Sequence, residues 1–418
     1  MTKYLSVAFL TSVLLVRMPP FYVIPFIKSA LLTSHSLSRV IVVVLFVAML
    51  RRRDYQKFSK TQISLFYLFL GYFFFHSLSV INAVNYDAFL LRYKDVVFPG
   101  LFLLASFSFL KSKLDFIKVM IWSLLVNFAY QAVAYTWPSL YSLMGNSLLY
   151  EGHREFVSLN LARGRIFIET YDEIVLPFLF VSGFYTLVKN KLFRVIFPVL
   201  IIFPTLLSNF RSRLLMLVVG VGLALITWFK SWKVVIGIGL GGIVMMFSSD
   251  AISLRLWGFS ILDRVLLKSN YDDIQSLTSR WEGISQSFEL GLRHPVAGIG
   301  LGNYFDFLPT YVRDSVFSIS NYYGGVWISS LNPHNIFAQI VAETGLLGLI
   351  YYLGMLGIFL RSDWMIYRER KIKEDFKIAC IIAFWTLFSY SLFNPTTTLT
   401  YNTLFWILRG VIIHESTS

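Results

Sequence analysis

His334 stands in Asn332-Pro333-His334-Asn335, where the polar stretch 249–333 gives way to an apolar run from Ile336 to Leu360. An imidazole exchanges a proton near neutral pH, as the deprotonation of a sugar hydroxyl requires. The plainer use of such a residue is to cap a helix or bond a carbonyl at an interface, with Asn332 or Asn335 as the cap of the helix that follows. Cations accompany it. Arg211 and Arg213 occupy Ser208-Asn209-Phe210-Arg211-Ser212-Arg213, a very short turn between two apolar runs. Arginines facing lipid there would be costly, so they should face a cavity or a headgroup. Arg280, beside Trp281, is expected to begin a helix running from Leu277 to Leu292, whose apolar residues 277, 281, 284, 288 and 292 fall at helical spacing. A cation at a helix start opposes the macrodipole, so an anion should offset it: a bound diphosphate, or Asp272, Asp273 or Glu282.

Other patterns carry less. Gly298, Gly300 and Gly302 form G-x-G-x-G, but no strand precedes them, so a tight turn is expected rather than a nucleotide site. Asp172 and Glu173 open an apolar run, where carboxylates complement the helix dipole. No His, Asp or Glu group has metal-ligand spacing and no phosphate-binding loop is present, so neither a metal nor a cofactor is expected. Cys380 is the single cysteine, which leaves no disulfide to form.

These residues must be positioned by a membrane protein. Of 418 residues, 56% are hydrophobic and 14% charged, which excludes an ordinary soluble domain. Apolar runs near 4–27, 31–50, 61–81, 96–110, 115–136, 171–188, 192–208, 212–229, 233–248, 336–360, 377–394 and 397–413 predict an all-α polytopic fold of about 12 transmembrane helices. Residues 1–418 read as one membrane domain into which the large loop 249–335 is inserted. Within that loop the amphipathic helix is expected to lie on the membrane surface and to stop at Pro295, and 304–330 to form an irregular lid. No cleavable signal peptide is expected before Met18-Pro19-Pro20.

Lysine and arginine then orient the chain. With the N-terminus inside, 21 basic residues fall in inside loops and 13 outside, with Arg17, Lys28 and Arg39 ambiguous in the first hairpin. The large loop lands outside. The two sides differ in kind as well: inside there are 13 Lys and 8 Arg, outside 11 Arg and only Lys94 and Lys268. Topology rules do not distinguish the two residue types, whereas phosphate recognition favours the planar guanidinium. A phosphate-bearing ligand on the outer face accounts for the bias; pairing with loop carboxylates accounts for part of it. No nucleic-acid partner is expected.

Four stretches taken together resemble the O-antigen ligase and O-antigen polymerase superfamily of bacterial envelope polysaccharide assembly. They are Leu207-Ser208-Asn209-Phe210-Arg211-Ser212, then Ser279-Arg280-Trp281, then His294 through Asn303 with its glycines, and last Pro333-His334-Asn335 through Glu343-Thr344-Gly345-Leu346-Leu347-Gly348. The resemblance covers 205–350; the first 200 residues match in hydropathy alone. The first stretch departs from the usual Ser-Arg-Gly form, so either Arg211 or Arg213 is the functional arginine. The resemblance implies a metal-independent, inverting GT-C-type glycosyltransferase of the bacterial inner membrane, its active site facing the periplasm. The donor would be a glycan on undecaprenyl diphosphate, with Arg211, Arg280 and Arg213 on the diphosphate, His334 as the catalytic base, and Asn335, Gly298 and Gly300 in the supporting loop. The acceptor would be lipid A-core for a ligase of lipopolysaccharide biosynthesis, or a lipid-linked glycan for a polymerase. A lipid-linked-oligosaccharide flippase is a further reading, disfavoured because no inverted repeat matches the long loop. A peptidoglycan polymerase is another, but its acidic loop signature is absent.

Overall fold

A computed structural model of the protein describes residues 2–17, 34–110, 211–229, 271–308, 333–369, 375–393 and 399–414, together with isolated positions between 116 and 178. All of the regular structure among them is helical: α1 (Thr2–Arg17), α2 (Ser34–Arg51), α3 (Lys60–Leu78), α4 (Tyr86–Phe109), α5 (Arg211–Phe229), α6 (Tyr271–Arg293), α7 (Ile336–Arg368), α8 (Asp375–Ser391) and α9 (Leu399–His414), with short 3-10 turns between some of them. The expected spans 115–136, 171–188, 192–208 and 233–248 lie mostly or wholly outside the described residues. Two described helices, Lys60–Asn82 and Ile336–Arg368, are long and apolar enough to cross a membrane, and parts of α1, α5, α8 and α9 form shorter apolar helices.

Local sequence explains where several helices start. Ser59 caps α3 in a reciprocal box: its hydroxyl accepts from the Gln62 amide at 3.3 Å, and the Gln62 side chain accepts from the Ser59 amide at 2.9 Å. Asn85 caps α4, accepting from the Ala88 amide at 3.0 Å. That cap puts the start of α4 at Tyr86, ten residues before the expected 96. Hydropathy sees the apolar part of a helix, and α4 carries Arg92, Lys94 and Asp95 ahead of it.

The core is aromatic. Trp406 of α9 is fully buried and meets Phe69 edge-on at 5.1 Å, Tyr72 at 5.6 Å and Phe359 at 6.3 Å between ring centroids, which joins α3, α7 and α9. Helix α9 also lies along α4, where Gly410 lets it approach Leu103 and Ser106 closely. At one end of this bundle the Arg409 guanidinium grips Asp363 with two hydrogen bonds of 2.7 Å, and the Trp385 indole donates to the same carboxylate at 2.8 Å. Phe384 and Phe359 cover the guanidinium at 3.6 and 4.3 Å.

The main departure from the expected layout is in α7. The sequence predicts one unbroken span over 336–360. Instead Gly345 has φ 78° and ψ −178°, which divides α7 into Ile336–Thr344 and a longer segment from Leu346 to Arg368. The longer piece runs along α3, with the Tyr351 hydroxyl donating to the Leu68 carbonyl at 2.7 Å. The short piece is buried along almost its whole length and leads back to His334.

Candidate functional site

The break in α7 frees backbone groups that an intact helix would pair, and the glycine turn takes them up. The amides of Ile299 and Gly300 donate to the carbonyls of Ala342 and Glu343 at 2.9 and 3.2 Å, and the Leu347 amide donates to the Pro295 carbonyl at 3.1 Å. Both sides of this contact need glycine. Gly298 (φ 64°) and Gly345 (φ 78°) lie in the left-handed region, and a Cβ at Gly345 would sit 2.6 Å from the Pro295 carbonyl oxygen. The expected tight turn is therefore present, and it is a clamp on a broken helix.

Three polar side chains complete the clamp. Glu343, fully buried, accepts from the Gly302 amide at 3.1 Å and from the Gln339 side chain at 3.3 Å. Asn82, beyond α3, donates to the Gly298 carbonyl at 2.8 Å. Asn303, with no exposed surface, accepts from the Asn85 amide at 2.7 Å. The α3–α4 connection, the 294–303 turn and the α7 break thus form one unit. Sequence reading gave no role to Glu343, Asn82 or Asn303. Glu343 was the one with a signal, as a lone carboxylate in an apolar run.

His334 sits at the other end of the short α7 segment. Asn335 is the helix cap, accepting from the amides of Phe337 and Ala338 at 2.9 and 3.1 Å, while its own amide group donates to the Leu392 carbonyl past the end of α8 at 3.1 Å. Capping by Asn335 relieves His334 of that duty. The His334 Nδ1 atom is buried without a hydrogen-bond partner among the described residues. Burial first, and then the positive charge of Arg280, push the imidazole down to about 4. The ring is neutral at ordinary pH.

Arg280 belongs to α6, which starts at Tyr271, so Arg280 lies in mid-helix and not at the helix start that the sequence predicted. The macrodipole argument for a compensating anion therefore fails; what remains is the proximity of its charge to His334. Helix α6 packs against α7 through its small residues: a Cβ at Gly291 would meet the Val341 carbonyl oxygen at 2.6 Å. The Tyr304 hydroxyl donates to the Gly283 carbonyl at 3.0 Å and ties the following chain to the same face. Trp281, Phe288 and Leu292, on the apolar face that the spacing marked, are exposed.

Arg211 opens α5 and Arg213 is buried in its first turn. Helix α5 packs along α8, whose far end holds Asn335 through Leu392. The structure thus brings His334, Asn335 and Arg280 together and sets Gly298 and Gly300 in the clamp. Arg211 and Arg213 stand on a neighbouring element. The lid segment 309–332 and most of the first outer loop lie outside the described residues.

Comparison with curated proteins finds no match. A protein-family model described as O-antigen ligase matches residues 196–353. That interval contains Arg211, Arg213, Arg280, the glycine clamp, His334 and Asn335, and it ends within α7. Over residues 196–353 the match supports a relationship to the O-antigen ligase and polymerase superfamily.

Proposed function

We propose that the protein is a membrane glycosyltransferase that moves a glycan from undecaprenyl diphosphate to a sugar hydroxyl of lipid A-core on the periplasmic face of the inner membrane. The observation that carries this reading is His334: a neutral, half-buried imidazole whose buried Nδ1 has no hydrogen-bond partner among the described residues, held beside the charge of Arg280 inside the O-antigen ligase match. On this reading the fold has about twelve spans; two helices among the described residues, Lys60–Asn82 and Ile336–Arg368, are long and apolar enough to cross a membrane.

In the reaction, the acceptor hydroxyl gives its proton to His334 as its oxygen attacks the anomeric carbon. The bond from that carbon to the diphosphate breaks, and undecaprenyl diphosphate leaves with the electron pair, so the anomeric configuration inverts. The leaving group is already activated, and Arg280 with Arg211 or Arg213 offsets the charge that builds on it. No metal ion is needed for that role.

The electrostatics couple the two halves of the reaction. The charge of Arg280 makes His334 a weaker base. A bound donor diphosphate offsets that charge and raises the affinity of His334 for a proton, so the base strengthens when there is something to transfer. The exposed Trp281, Phe288 and Leu292 suit α6 to lying in the membrane interface near the donor's lipid.

A lipopolysaccharide gel of a deletion strain tests the assignment. Lipid A-core without polymer is the expected result. Lipid A-core carrying one repeat unit would mean that the acceptor is another lipid-linked repeat and the protein a polymerase. An unchanged ladder would overturn both.

A further inference from the structure

The turn between α2 and α3 lies at the other end of the bundle from the glycine clamp. Helix α3 leads from Lys60 towards Asn82, which bonds the clamp, and the segment Lys60–Asn82 is long and apolar enough to cross a membrane. Residues 51–60 hold five cations, Arg51, Arg52, Arg53, Lys57 and Lys60, and one acid, Asp54. Asp54 is buried and pairs with Arg52 at 3.3 Å and with Lys57 at 3.7 Å. The Arg52 guanidinium lies 6.0 Å from the centre of the Phe109 ring, and Phe58 meets Phe107 edge-on at 5.3 Å, so the turn is seated on the end of α4. Arg53 has φ 53° and ψ 32°, and it is the one residue other than glycine with a positive φ among the described residues. A backbone held there against its preference needs surroundings that fix it, and the buried Asp54 on one side and the Ser59 capping box on the other supply them. Arg51, Arg53 and Lys60 are exposed, and among the described residues they form no ion pair.

We propose that this turn binds the headgroup of an acidic glycerophospholipid, on the membrane face opposite to the clamp. The carboxylate of Asp54 is taken up by Arg52 and Lys57, which leaves Arg51, Arg53 and Lys60 to form charge-assisted hydrogen bonds with a phosphodiester. Apolar surface for the acyl chains adjoins the turn on both sides. Val40, Val44 and Val47 of α2 and Ile63, Tyr67 and Leu70 of α3 are exposed, each set at i, i+4, i+7 along one helix face. Tyr55, exposed within the turn, has the amphipathic ring suited to the headgroup level. Basic residues beside any span attract anionic lipid diffusely. Here a buried carboxylate and a fixed backbone set their positions, which makes a defined site out of general surface charge. The site lies apart from His334 and does not depend on the transferase reading.

The test uses the full-length protein in detergent, with dioleoyl phosphatidylglycerol as the probe and dioleoyl phosphatidylcholine as the control, read by native mass spectrometry at one ionic strength. The wild type should retain phosphatidylglycerol preferentially, and Arg51→Gln combined with Arg53→Gln should weaken that retention by about tenfold. Arg51→Lys combined with Arg53→Lys keeps the charge and should retain most of it. Loss in both double variants would trace the effect to the backbone of the turn and overturn the charge-based site. The matched comparison is Arg361→Gln combined with Arg368→Gln, two exposed arginines on the part of α7 that runs away from the clamp. That variant should bind as the wild type does; an equal loss there would mean diffuse surface charge and overturn the site. Inorganic phosphate, which has the charge without the chains, should not displace the lipid. Displacement by it would leave an anion site with no lipid character, and equal retention of the two lipids by the wild type would overturn the proposal outright.

Discussion

Arg409 and Arg39 each hold an aspartate across the bundle, and they hold it differently. Arg409 makes a two-bond fork of 2.7 Å contacts with Asp363, its ring-like plane is covered by Phe384 and Phe359, and Trp385 supplies a further donor to the carboxylate. Arg39 makes one contact of 3.4 Å with Asp95 among neighbours that are mostly cationic. Among the described residues the Nε of each is without a hydrogen-bond partner, so the difference lies in the fork and the surrounding charge. Charges removed from water and matched in number and geometry act as a fastener between helices. A single long contact holds its two helices less firmly. The end of the bundle that carries Arg39 is also the end that carries the glycine clamp, the broken helix and His334, and its polar groups are arranged around a gap in backbone pairing. Chemistry is expected at that end, and stability from the Arg409 end.

The largest effect expected from breaking this division is at His334. His334→Gln keeps size and hydrogen bonding but cannot take the proton, and transfer should fall on the order of 10²–10⁴-fold. Membrane insertion and the level of lipid-linked donor should be normal or raised. Activity near that of the wild type would reduce His334 to a positioning role and turn attention to outer carboxylates, Asp172 first.

At the opposite end, Asp363→Asn should strand the buried Arg409 and lower stability by about 3–5 kcal/mol. Thermal unfolding in detergent would read this, with activity per folded molecule retained. The matched change Asp95→Asn should cost less than that, because the Arg39 contact is single and 3.4 Å long. Equal losses would erase the distinction between fastener and single contact.

Gly345→Ala tests whether the break in α7 belongs to the site's frame. It forces an ordinary residue to a positive φ and sets a methyl group against the Pro295 carbonyl, at an expected cost of about 1–3 kcal/mol. It should also lower activity, since the His334 segment would move. Gly354→Ala, in the same helix, meets open space and should do neither.

The smallest effect is a displacement of the acid limb of the pH–rate profile. The free enzyme's imidazole is pushed down to about 4, first by burial and then by Arg280, and the neutral ring is the base. The kcat/KM value should therefore rise with pH through that region and stay flat towards neutrality. With donor bound, the diphosphate offsets Arg280, and the limb of kcat should lie at higher pH. Arg280→Gln should raise the limb of kcat/KM towards the ordinary histidine value and narrow the difference. Identical limbs in the wild type would argue against charge coupling between Arg280 and His334.

Much of this protein is written in local sequence. Apolar runs with few charges give helices because in them each backbone group pairs within its own segment. Ser59-x-x-Gln62 and Asn85 start helices, Pro295 follows the end of one, and the three closely spaced glycines of 298–302 make a turn. His334 and Asn335 were legible because a polar stretch meets an apolar one there. Where sequence alone misled, the reason was that hydropathy and apolar spacing register only the apolar part of a helix. Charges within α4 hid its first turns from hydropathy. A pattern beginning at Leu277 hid the polar first turn of α6, and with it the mid-helix place of Arg280.

Tertiary structure decided the rest. Nothing local marks Gly345, among Gly348, Gly354 and Gly357, as the residue where α7 breaks. It breaks there because the 294–303 turn supplies donors for the carbonyls that the break exposes. The pairing of Arg409 with Asp363 spans 46 residues and that of Arg39 with Asp95 spans 56, and the proximity of Arg280 to His334 is likewise nonlocal. Charge type and count are sequence properties. Which charges are matched depends on helices that meet only when the bundle is packed.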